Sequence, residues 1–334
     1  MANAFESEQS GKRQAWANII ANIQATSFPF TSMANKAERP AQVLETWQVK
    51  TYPDVGFEGV PDGKDATDFE SNPRKEMQMR AEKSWRKPGV SDFADEAEIV
   101  GLSGNESAEQ IKDALVLLKK KMEQRCCSAY NCQADNGVVG NETRGIFSYL
   151  ANTAQSYLSV PDGYRTPAAS RYTGTLAAFT ERDYFLPLCR SSYVQRKGPF
   201  KLDAFLGIEL KALFTEFTKY VDNVANKTPV KQFQGALADK AYVNVVDKLV
   251  LDTGEIDLHP TPYLYKDKVT GADSAYTHKS GFIVDMEMAR LAYTRLPRVV
   301  KLPYLGGSNK AIVDAIYMNL YDNPLGAISM EINS

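Results

Sequence analysis

Two stretches of the chain alternate between apolar and polar residues with the period of a β-strand. The apolar positions are Val43, Trp47 and Val49 in residues 42–52, and Met77, Met79, Ala81 and Trp85 in residues 76–86. Period two over this length predicts two strands, each with one apolar and one polar face. The residues between them are rich in glycine, proline and acids, which is typical of a polar turn region. The pattern therefore predicts a long two-stranded hairpin.

A hairpin of two strands is marginally stable in water when nothing covers its apolar face. We therefore expect a neighbouring subunit to cover the face that carries Trp47 and Trp85. The alternative is that the hairpin packs on its own domain, and the residues alone leave both arrangements open.

Residues 107–131 have the spacing of a long amphipathic helix. Apolar residues recur every three or four positions, at Ala108, Ile111, Leu115, Leu118, Met122, Cys126 and Ala129. Ser107 and Gln110 form a capping-box pattern, and the run Lys119–Lys121 suits the negative end of the helix dipole. At 1.5 Å per residue the predicted helix is about 37 Å long. We expect it to lie across a sheet.

The N-terminal region has fewer apolar residues that it could bury by packing on itself. Residues 12–24 place Trp16 and three isoleucines on one side of a short helix, and residues 26–41 contain two prolines among mixed polar residues. These features predict a helix followed by an extended arm. Because such a terminal segment gains little by packing on itself, we expect it to dock against something else; a frayed terminus is the alternative.

The second half of the chain mixes helix and strand patterns. A short helix is predicted at Ile146–Leu150 after a turn at Asn136-Gly137, and a second helix carries Leu202, Leu206, Leu210, Leu213, Phe217 and Val221. Strand patterns follow at residues 242–251, 255–265, 282–285, 310–321 and 328–332. Runs of strands with a few helices, and without a regular βαβ rhythm, predict an α+β fold.

Composition and charge exclude several classes of function. The 334 residues include 39 Lys+Arg and 41 Asp+Glu, a net charge of 39 − 41 = −2, so no strong field attracts nucleic acid or an anionic membrane. No apolar run approaches the ~18 residues that span a bilayer. The first residues lack the apolar segment of a secretory signal. We expect synthesis in the cytoplasm and no membrane partner.

The residues that usually carry chemistry are few. Four cysteines (126, 127, 132, 189) and two histidines (259, 278) lack zinc-site spacing, and the cysteines are better interpreted as small buried apolar residues. Phosphate-loop, dinucleotide and nucleophile-elbow patterns are absent from the sequence. We therefore expect neither an enzyme nor a cofactor. Two alternatives stay open: an enzyme with an unrecognised site, involving Asp285, Glu287 and His259, or a nucleic-acid-binding protein.

The order of the predicted elements resembles the major capsid proteins of tailed bacteriophages, which have the Hong Kong 97-type fold. Several segments resemble the SU-ten-type major head protein family within that superfamily. These segments are TSFPFTSMANKAERPAQVLETWQVKTY, EGVPDGKDATDF with Arg74 and Arg80 after it, SAEQIKDALVLLKKKMEQRC, TRGIFSYLAN and KLPYLGGSNKAIVDAIYMNLYDNPLGAISMEI. The resemblance extends from about residue 10 to 332. It is poorest at residues 155–200 and 221–280.

The resemblance implies a structural subunit that self-assembles into hexamers and pentamers of an icosahedral shell around double-stranded DNA. The implied parts are an N-terminal arm (1–41), an extended hairpin or E-loop (42–92), a peripheral domain with the spine helix (93–140 and about 290–334) and an axial domain (about 141–289). The hairpin would lie over an adjacent subunit and the arm would reach along another.

Several residues are candidates for contacts between subunits. We expect ion pairs from the basic residues of the returning strand and apolar anchoring from the tryptophans, with a lysine at the hairpin tip. The candidates are Trp16, Trp47, Lys64, Arg74, Lys75, Arg80, Trp85 and Arg86. For the arginines, simple solubility is the alternative.

The resemblance also implies the other partners and the location. They are further copies of the chain, a portal protein, scaffolding or decoration proteins, and packaged DNA bound weakly and non-specifically. Because the hairpin begins near residue 42, we expect any scaffolding function to lie in a separate or removed segment. The protein is expected in the virion after synthesis in the host bacterial cytoplasm.

Overall fold

The structure is a computed structural model that describes residues 27–65, 69, 71–97, 105–217, 220–221, 230–231, 246–304 and 306–332. The helix predicted over residues 12–24, including Trp16, lies outside these residues, as do residues 242–245 of a predicted strand. Helices and strands are mixed along the chain, as expected for an α+β fold.

The helices of the described ranges are α1 (Pro29–Met33), α2 (Asp92–Glu96), α3 (Glu106–Cys126), α4 (Ile146–Tyr149), α5 (Leu186–Arg196) and α6 (Ile208–Phe217). Shorter 3-10 turns lie at Ala168–Ser170 and Pro324–Gly326, and a π-helical turn lies at Glu181–Phe185. The strands are β1 (Asn35–Ala37), β2 (Leu44–Val49), β3 (Lys75–Arg80), β4 (Glu82–Arg86), β5 (Gly89–Ser91), β6 (Arg171–Tyr172), β7 (Phe200–Leu206), β8 (Tyr220–Val221), β9 (Val230–Lys231), β10 (Lys248–Leu251), β11 (Gly254–Pro260), β12 (Gly281–Val284), β13 (Ala289–Lys301), β14 (Ser308–Tyr321) and β15 (Ile328–Met330).

A six-stranded sheet with the order β10-β11-β7-β12-β15-β6 forms around β7. β7 runs parallel to β11, with Leu202 opposite Ile256, and antiparallel to β12, with Phe205 opposite Phe282. All four of these side chains are fully buried. The alternation along β7 stops at Ala204, because Ala204, Phe205 and Leu206 are all buried and both faces of the strand are covered there. The core of this part of the chain is built on that strand.

The helix predicted between residues 202 and 221 is partly wrong. Leu202 and Leu206 lie on β7, and within the described residues of this range the helix is Ile208–Phe217. A spacing of four places two leucines on the same face of a helix, but it also places them on the same face of a strand. Gly207 makes the turn from β7 to α6, where a Cβ atom would lie 2.3 Å from the carbonyl oxygen of His278.

A second sheet has the order β1-β13-β14-β4, and β5 also pairs with β14. β1 runs parallel to β13, with Lys36 opposite Leu291, whereas β5 is antiparallel to β14, with Val90 opposite Asn309. The weak alternation over residues 310–321 correctly predicts β14. The long strand β13 has no counterpart among the sequence predictions.

The chain forms two compact units. One consists of Trp85–Leu118 and Pro297–Asp314, and the other of Phe28–Ser84, Lys119–Leu296 and Ala315–Ser334. We call the first the small unit and the second the main unit. The division into arm, hairpin, peripheral domain and axial domain stays a prediction.

The long helix is present but shorter than predicted, since α3 ends at Cys126 rather than near residue 131. Its last turn is followed by a change of direction, because the Arg125 guanidinium donates to the carbonyl oxygen of Asn131 at 3.0 Å. The predicted capping box is absent as well. Ser107 lies inside the helix, and its N–H donates to the carboxylate of Asp95 at 2.9 Å. The carboxylate of Asp95 therefore caps the N-terminus of α3, the role predicted for the Ser107 hydroxyl.

Candidate assembly surface

The predicted hairpin is present, and its strands pair in an antiparallel register. β2 and β3 face each other from Leu44 opposite Arg80 to Val49 opposite Lys75. Trp47 and Val49 are half-buried while the residues between them are exposed, as the alternation predicts. The sequence pattern thus predicts both the strands and their faces.

The second predicted strand is divided in two, because β3 ends at Arg80 and β4 begins at Glu82. The N–H of Ala81 still donates to the carbonyl oxygen of Val43 at 2.8 Å. After it, the Glu82 carboxylate turns inward and lies 3.2 Å from Arg125. Because β4 belongs to the sheet that contains β14, the hairpin proper consists of β2 and β3.

The apolar face of the paired strands is covered by the same subunit. Met77 is 2% exposed and Met79 is fully buried. The sulfur of Met79 accepts a hydrogen bond from the N–H of Arg144 at 3.4 Å. The expectation that a neighbouring subunit covers this face is therefore wrong for Met77 and Met79 of β3. The alternative, in which the hairpin packs on its own domain, is correct there, because these side chains are buried within the main unit.

The hairpin is also held just beyond its strands. The N–H of Thr51 donates to the Tyr164 hydroxyl at 3.1 Å, and Asn72 donates to the carbonyl oxygen of Thr51 at 2.7 Å. The Lys197 ammonium binds the Asp54 carboxylate. This hydrogen bond and the positive charge of Lys197 lower the pKa of Asp54. The contacts with the main unit thus continue to residue 54.

Residues 55–65, which we call the hairpin tip, expose apolar side chains. Val55 is 79% exposed, Phe57 is 101% exposed and Val60 is 77% exposed. The tip carries three acids and one lysine, a net charge of −3 + 1 = −2. Lys64 lies in a turn in which its N–H donates to the carbonyl oxygen of Pro61, as expected for a lysine at the tip. Gly63 permits this turn with a φ of +76°.

The tryptophans of the hairpin differ in their surroundings. Trp47 is half-buried, and its indole N–H is buried without an acceptor among the described residues. Trp85 was expected on the apolar face beside Met77, but it lies on β4 and is 46% exposed. The ammonium of Lys87 lies 4.3 Å from the centre of the Trp85 ring, a cation–π contact. Their role as anchors between subunits stays a prediction.

The four basic candidates are not equivalent. Lys75 and Arg86 are exposed, and Arg74 is exposed while it donates to the Gln48 amide oxygen at 3.1 Å. Arg80 is half-buried and donates to the hydroxyl of Tyr157 at 2.6 Å, within the main unit. Its guanidinium therefore has a half-buried partner in its own subunit, whereas the other three cations are exposed and more accessible to a neighbour.

A buried charge network ties down the base of the hairpin, and the sequence reasoning missed it. Arg125 pairs with Glu82 at 3.2 Å and with Glu142 at 3.3 Å. Arg144 is 1% exposed and donates to the Asn131 side chain and to the carbonyl oxygen of Tyr157, at 2.8 and 3.0 Å. Buried charges are stable only when they are paired or fully hydrogen-bonded. The network therefore holds the segments around the hairpin in one arrangement.

The start of the described chain is held by a second buried carboxylate. Glu123 of α3 accepts hydrogen bonds from the N–H groups of Phe30 and Thr31, both at 2.8 Å. The Phe30 ring lies edge-on to Phe205 and Phe282, at 5.4 and 6.0 Å between centres. Burial raises the pKa of Glu123, against the opposing effect of the two hydrogen bonds. The predicted arm around Phe30 therefore packs on its own subunit, as α1 followed by β1, and the expectation of an extended segment docked elsewhere is wrong there.

The groups considered for chemistry have structural roles. Asp285 pairs with Arg196, the N–H of Glu287 donates to Asp285 at 3.0 Å, and His259 lies 3.0 Å from Asp203. The four cysteines are free and buried, as the sequence interpretation predicts. The described ranges contain no group of three or more His, Cys, Asp or Glu placed to hold a metal ion. In the same ranges, none of the helices has the length and apolar character needed to cross a membrane.

Comparison with protein families identifies the chain. The model of the SU10 major capsid protein family matches residues 3–319. The chain belongs to this family. It is a major capsid protein of a tailed phage, a subunit of the capsid shell, and the family is structural rather than a known class of enzymes. No curated protein matches the chain.

Solved structures show the fold. The chain is similar to the structure titled Mycobacterium phage Bobi, with a TM-score of 0.59, 12% identity and 100% of both chains covered. It is similar to the capsid of the cyanophage P-SCSP1u, with a TM-score of 0.60, 10% identity and 96% and 93% coverage. The capsid of a native GTA particle gives 0.60, 11% identity and 98% and 97% coverage. These likenesses over whole chains confirm the Hong Kong 97-type fold.

Proposed function

We propose that this protein assembles with copies of itself into hexamers and pentamers of an icosahedral shell that encloses double-stranded DNA. The observation that carries the proposal is the hairpin tip, where Val55, Phe57 and Val60 are each more than three-quarters exposed. Exposed apolar side chains grouped in one segment are typical of interaction sites. A shell subunit leaves such a segment uncovered until another copy arrives.

We further propose how the parts of the chain divide this task. The arm (1–41) and the hairpin (42–92) contact neighbouring subunits, residues 93–140 and about 290–334 form the peripheral domain, and residues about 141–289 form the axial domain. The apolar surface that the hairpin offers to a neighbouring subunit is its tip, not its paired strands. The residues proposed for contacts are Trp16, Trp47, Lys64, Arg74, Lys75, Trp85 and Arg86, with Arg80 in a supporting position.

The remaining partners follow from the same proposal. A portal protein and separate scaffolding or decoration proteins would bind the shell, and the packaged DNA would contact it weakly and without sequence preference. The net charge of −2 supports weak contact, because binding to phosphates strengthens with each basic residue that faces them. The protein would be made in the host cytoplasm, catalyse no reaction and end in the virion.

The test is assembly of the purified chain, followed by size exclusion and negative-stain microscopy. We expect rings, tubes or closed shells from the wild-type protein. The triple variant V55S/F57S/V60S should remain folded by circular dichroism and stay largely unassembled. The matched control V138S/V269S changes two valines that are each 92% exposed outside the tip, and it should assemble normally. A wild-type protein that stays monomeric at high concentration would contradict the proposal.

A further inference from the structure

A pocket of about 370 Å³ opens on the small unit. Val90 of β5, Ile111 of α3, Leu302 just after β13 and Ala311 of β14 form the apolar part of a lining that also contains polar and charged side chains. Leu302 is 40% exposed at this pocket. A concave surface of this size, part apolar and part polar, accommodates one or two side chains of a partner. The charges of the lining indicate which kind of partner fits this pocket.

The charges around the pocket indicate the charge of the side chains that would bind in it. Lys301 and Lys310 line it, both are exposed, and neither makes an ion pair within the part of the chain that the structure describes. The acid of the lining, Asp95, accepts hydrogen bonds from Ser107 and Asn309 at 2.9 and 2.8 Å. Lys301 also interacts electrostatically with Asp95. The pocket therefore has two cations outside ion pairs and one carboxylate that is already engaged. Such a site favours an occupant that is both apolar and acidic.

The hairpin tip has this combination. Phe57 is its most exposed apolar side chain, and Glu58 and Asp62 follow it on an exposed segment with a net charge of −2. We propose that the hairpin tip of a second copy of the chain docks in this pocket. Phe57 enters the apolar lining, and Glu58 and Asp62 face Lys301 and Lys310. This inference rests on the proposed function and adds the receptor site for the hairpin.

The two kinds of contact have different roles. Desolvation of a large aromatic ring in a pocket supplies most of the affinity of such an anchor. Ion pairs at an exposed rim contribute little affinity, but they select the partner and the orientation, and salt weakens them. Removal of Phe57 should therefore abolish docking, whereas reversal of the charges should make docking depend on a matching change in the partner.

Disulfide trapping between two different chains tests the contact directly. The variant G59C keeps Phe57, and a Cβ atom at Gly59 meets nothing within 4 Å. It is mixed under assembly conditions with a size-tagged L302C variant, then oxidised. The native thiols are all buried, so the added cysteines react first. We expect a crosslinked heterodimer, and almost none when V138C, on an exposed loop, replaces G59C.

Charge reversal provides an independent test. K301E/K310E alone and E58K/D62K alone should each raise the concentration needed for assembly by about tenfold or more, because like charges then face each other. The chain that carries all four changes should assemble within about threefold of wild type, since the pairs are restored with opposite sign. The matched control K112E/K310E changes one pocket lysine and one lysine on the exposed surface of α3, and E58K/D62K should not rescue it fully.

Each outcome has one meaning. Heterodimers from G59C and L302C, together with rescue by the fourfold change, support the proposal. Shells that form without the crosslink, or a crosslink yield equal to that of V138C, overturn it while the proposed function stands. A disulfide that forms only when both cysteines are on the same chain also overturns it, because the tip then occupies the pocket of its own subunit. Absence of any assembly by the wild-type chain would instead contradict the proposed function.

Discussion

The guanidinium of Arg125 lies 3.2 Å from the carboxylate of Glu82, and both side chains are less than a tenth exposed. Arg125 is in the last turn of α3, whereas Glu82 follows the hairpin directly. The same guanidinium donates to the carbonyl oxygen of Thr143 at 2.7 Å. This pair anchors the base of the hairpin, so the hairpin starts from a fixed position while its tip remains exposed.

Replacement of Arg125 by Met should therefore destabilise the subunit severely. Removal of one partner of a buried ion pair leaves an uncompensated charge, here Glu82, at a cost of about 3–5 kcal/mol. The measurement is urea unfolding of the unassembled subunit. K112M is the matched control, because the pair between Lys112 and Glu109 is on the surface. It should change the free energy of unfolding by less than about 1 kcal/mol, and equal effects of the two changes would contradict this prediction.

Phe30→Ala should release the start of the described chain from the main unit. Phe30 is fully buried against Phe205 and Phe282, and truncation of such a ring costs about 3–5 kcal/mol. Hydrogen exchange should show faster exchange of the amides that Glu123 now binds. F93A is the control, because Phe93 is 92% exposed, and it should change stability by no more than about 0.5 kcal/mol. Unchanged exchange in F30A would show that other contacts hold the arm.

Glu123 should make the stability of the subunit depend on pH. Burial raises its pKa above the ordinary value of 4.5 in the folded subunit, so the folded state binds the proton more tightly than the unfolded chain does. Its contribution to the free energy of unfolding is therefore complete below the unfolded pKa, and it is lost as pH rises through the folded pKa. The E123Q variant cannot titrate at this position.

The measurement is urea unfolding of wild type and E123Q over a range of pH above 4.5, the ordinary value for a glutamate. The stability of wild type relative to E123Q should decline as the pH rises. D113N, which removes the exposed carboxylate of Asp113 on the same helix, is the matched control and should show no such trend relative to wild type. A difference between wild type and E123Q that stays constant with pH would argue against titration of Glu123 in this range.

The cysteines should be unreactive in the native subunit. Burial raises the pKa of Cys126 and Cys127 well above the ordinary value and that of Cys189 to about 12, so few thiolates form. A thiol reagent at mildly alkaline pH should label almost no cysteine before unfolding and all four afterwards. Rapid labelling of any cysteine in the native subunit would show that its segment opens.

Elements with a strong period were predictable from the sequence. The alternation around Trp47 and Met77 predicts β2 and β3 with the correct faces, and the apolar stripe from Ile111 to Cys126 predicts most of α3. Helix and strand periods cannot be told apart where apolar residues are spaced by four. Leu202 and Leu206 fit a helix as well as a strand. Pairing with β11 and β12 on either side makes this segment a strand.

Contacts between distant residues were beyond the sequence pattern. Glu123 and Phe30 are 93 positions apart, and nothing in either local pattern indicates that a glutamate on an amphipathic helix captures two backbone amides. The exposed apolar residues of the tip were visible but were obscured by the prolines, glycines and acids around them. Phe57 is the signal: a large aromatic residue in a polar turn region needs an explanation that its own segment does not provide.

The half-exposed indole of Trp85 offers an intrinsic optical reporter. Tryptophan emission responds to the polarity around the ring, and 46% of this residue is open to solvent in the single subunit. If a neighbouring copy covers Trp85, the fluorescence spectrum should shift to the blue as capsomers form. Shell growth can then be followed in real time without attaching a dye.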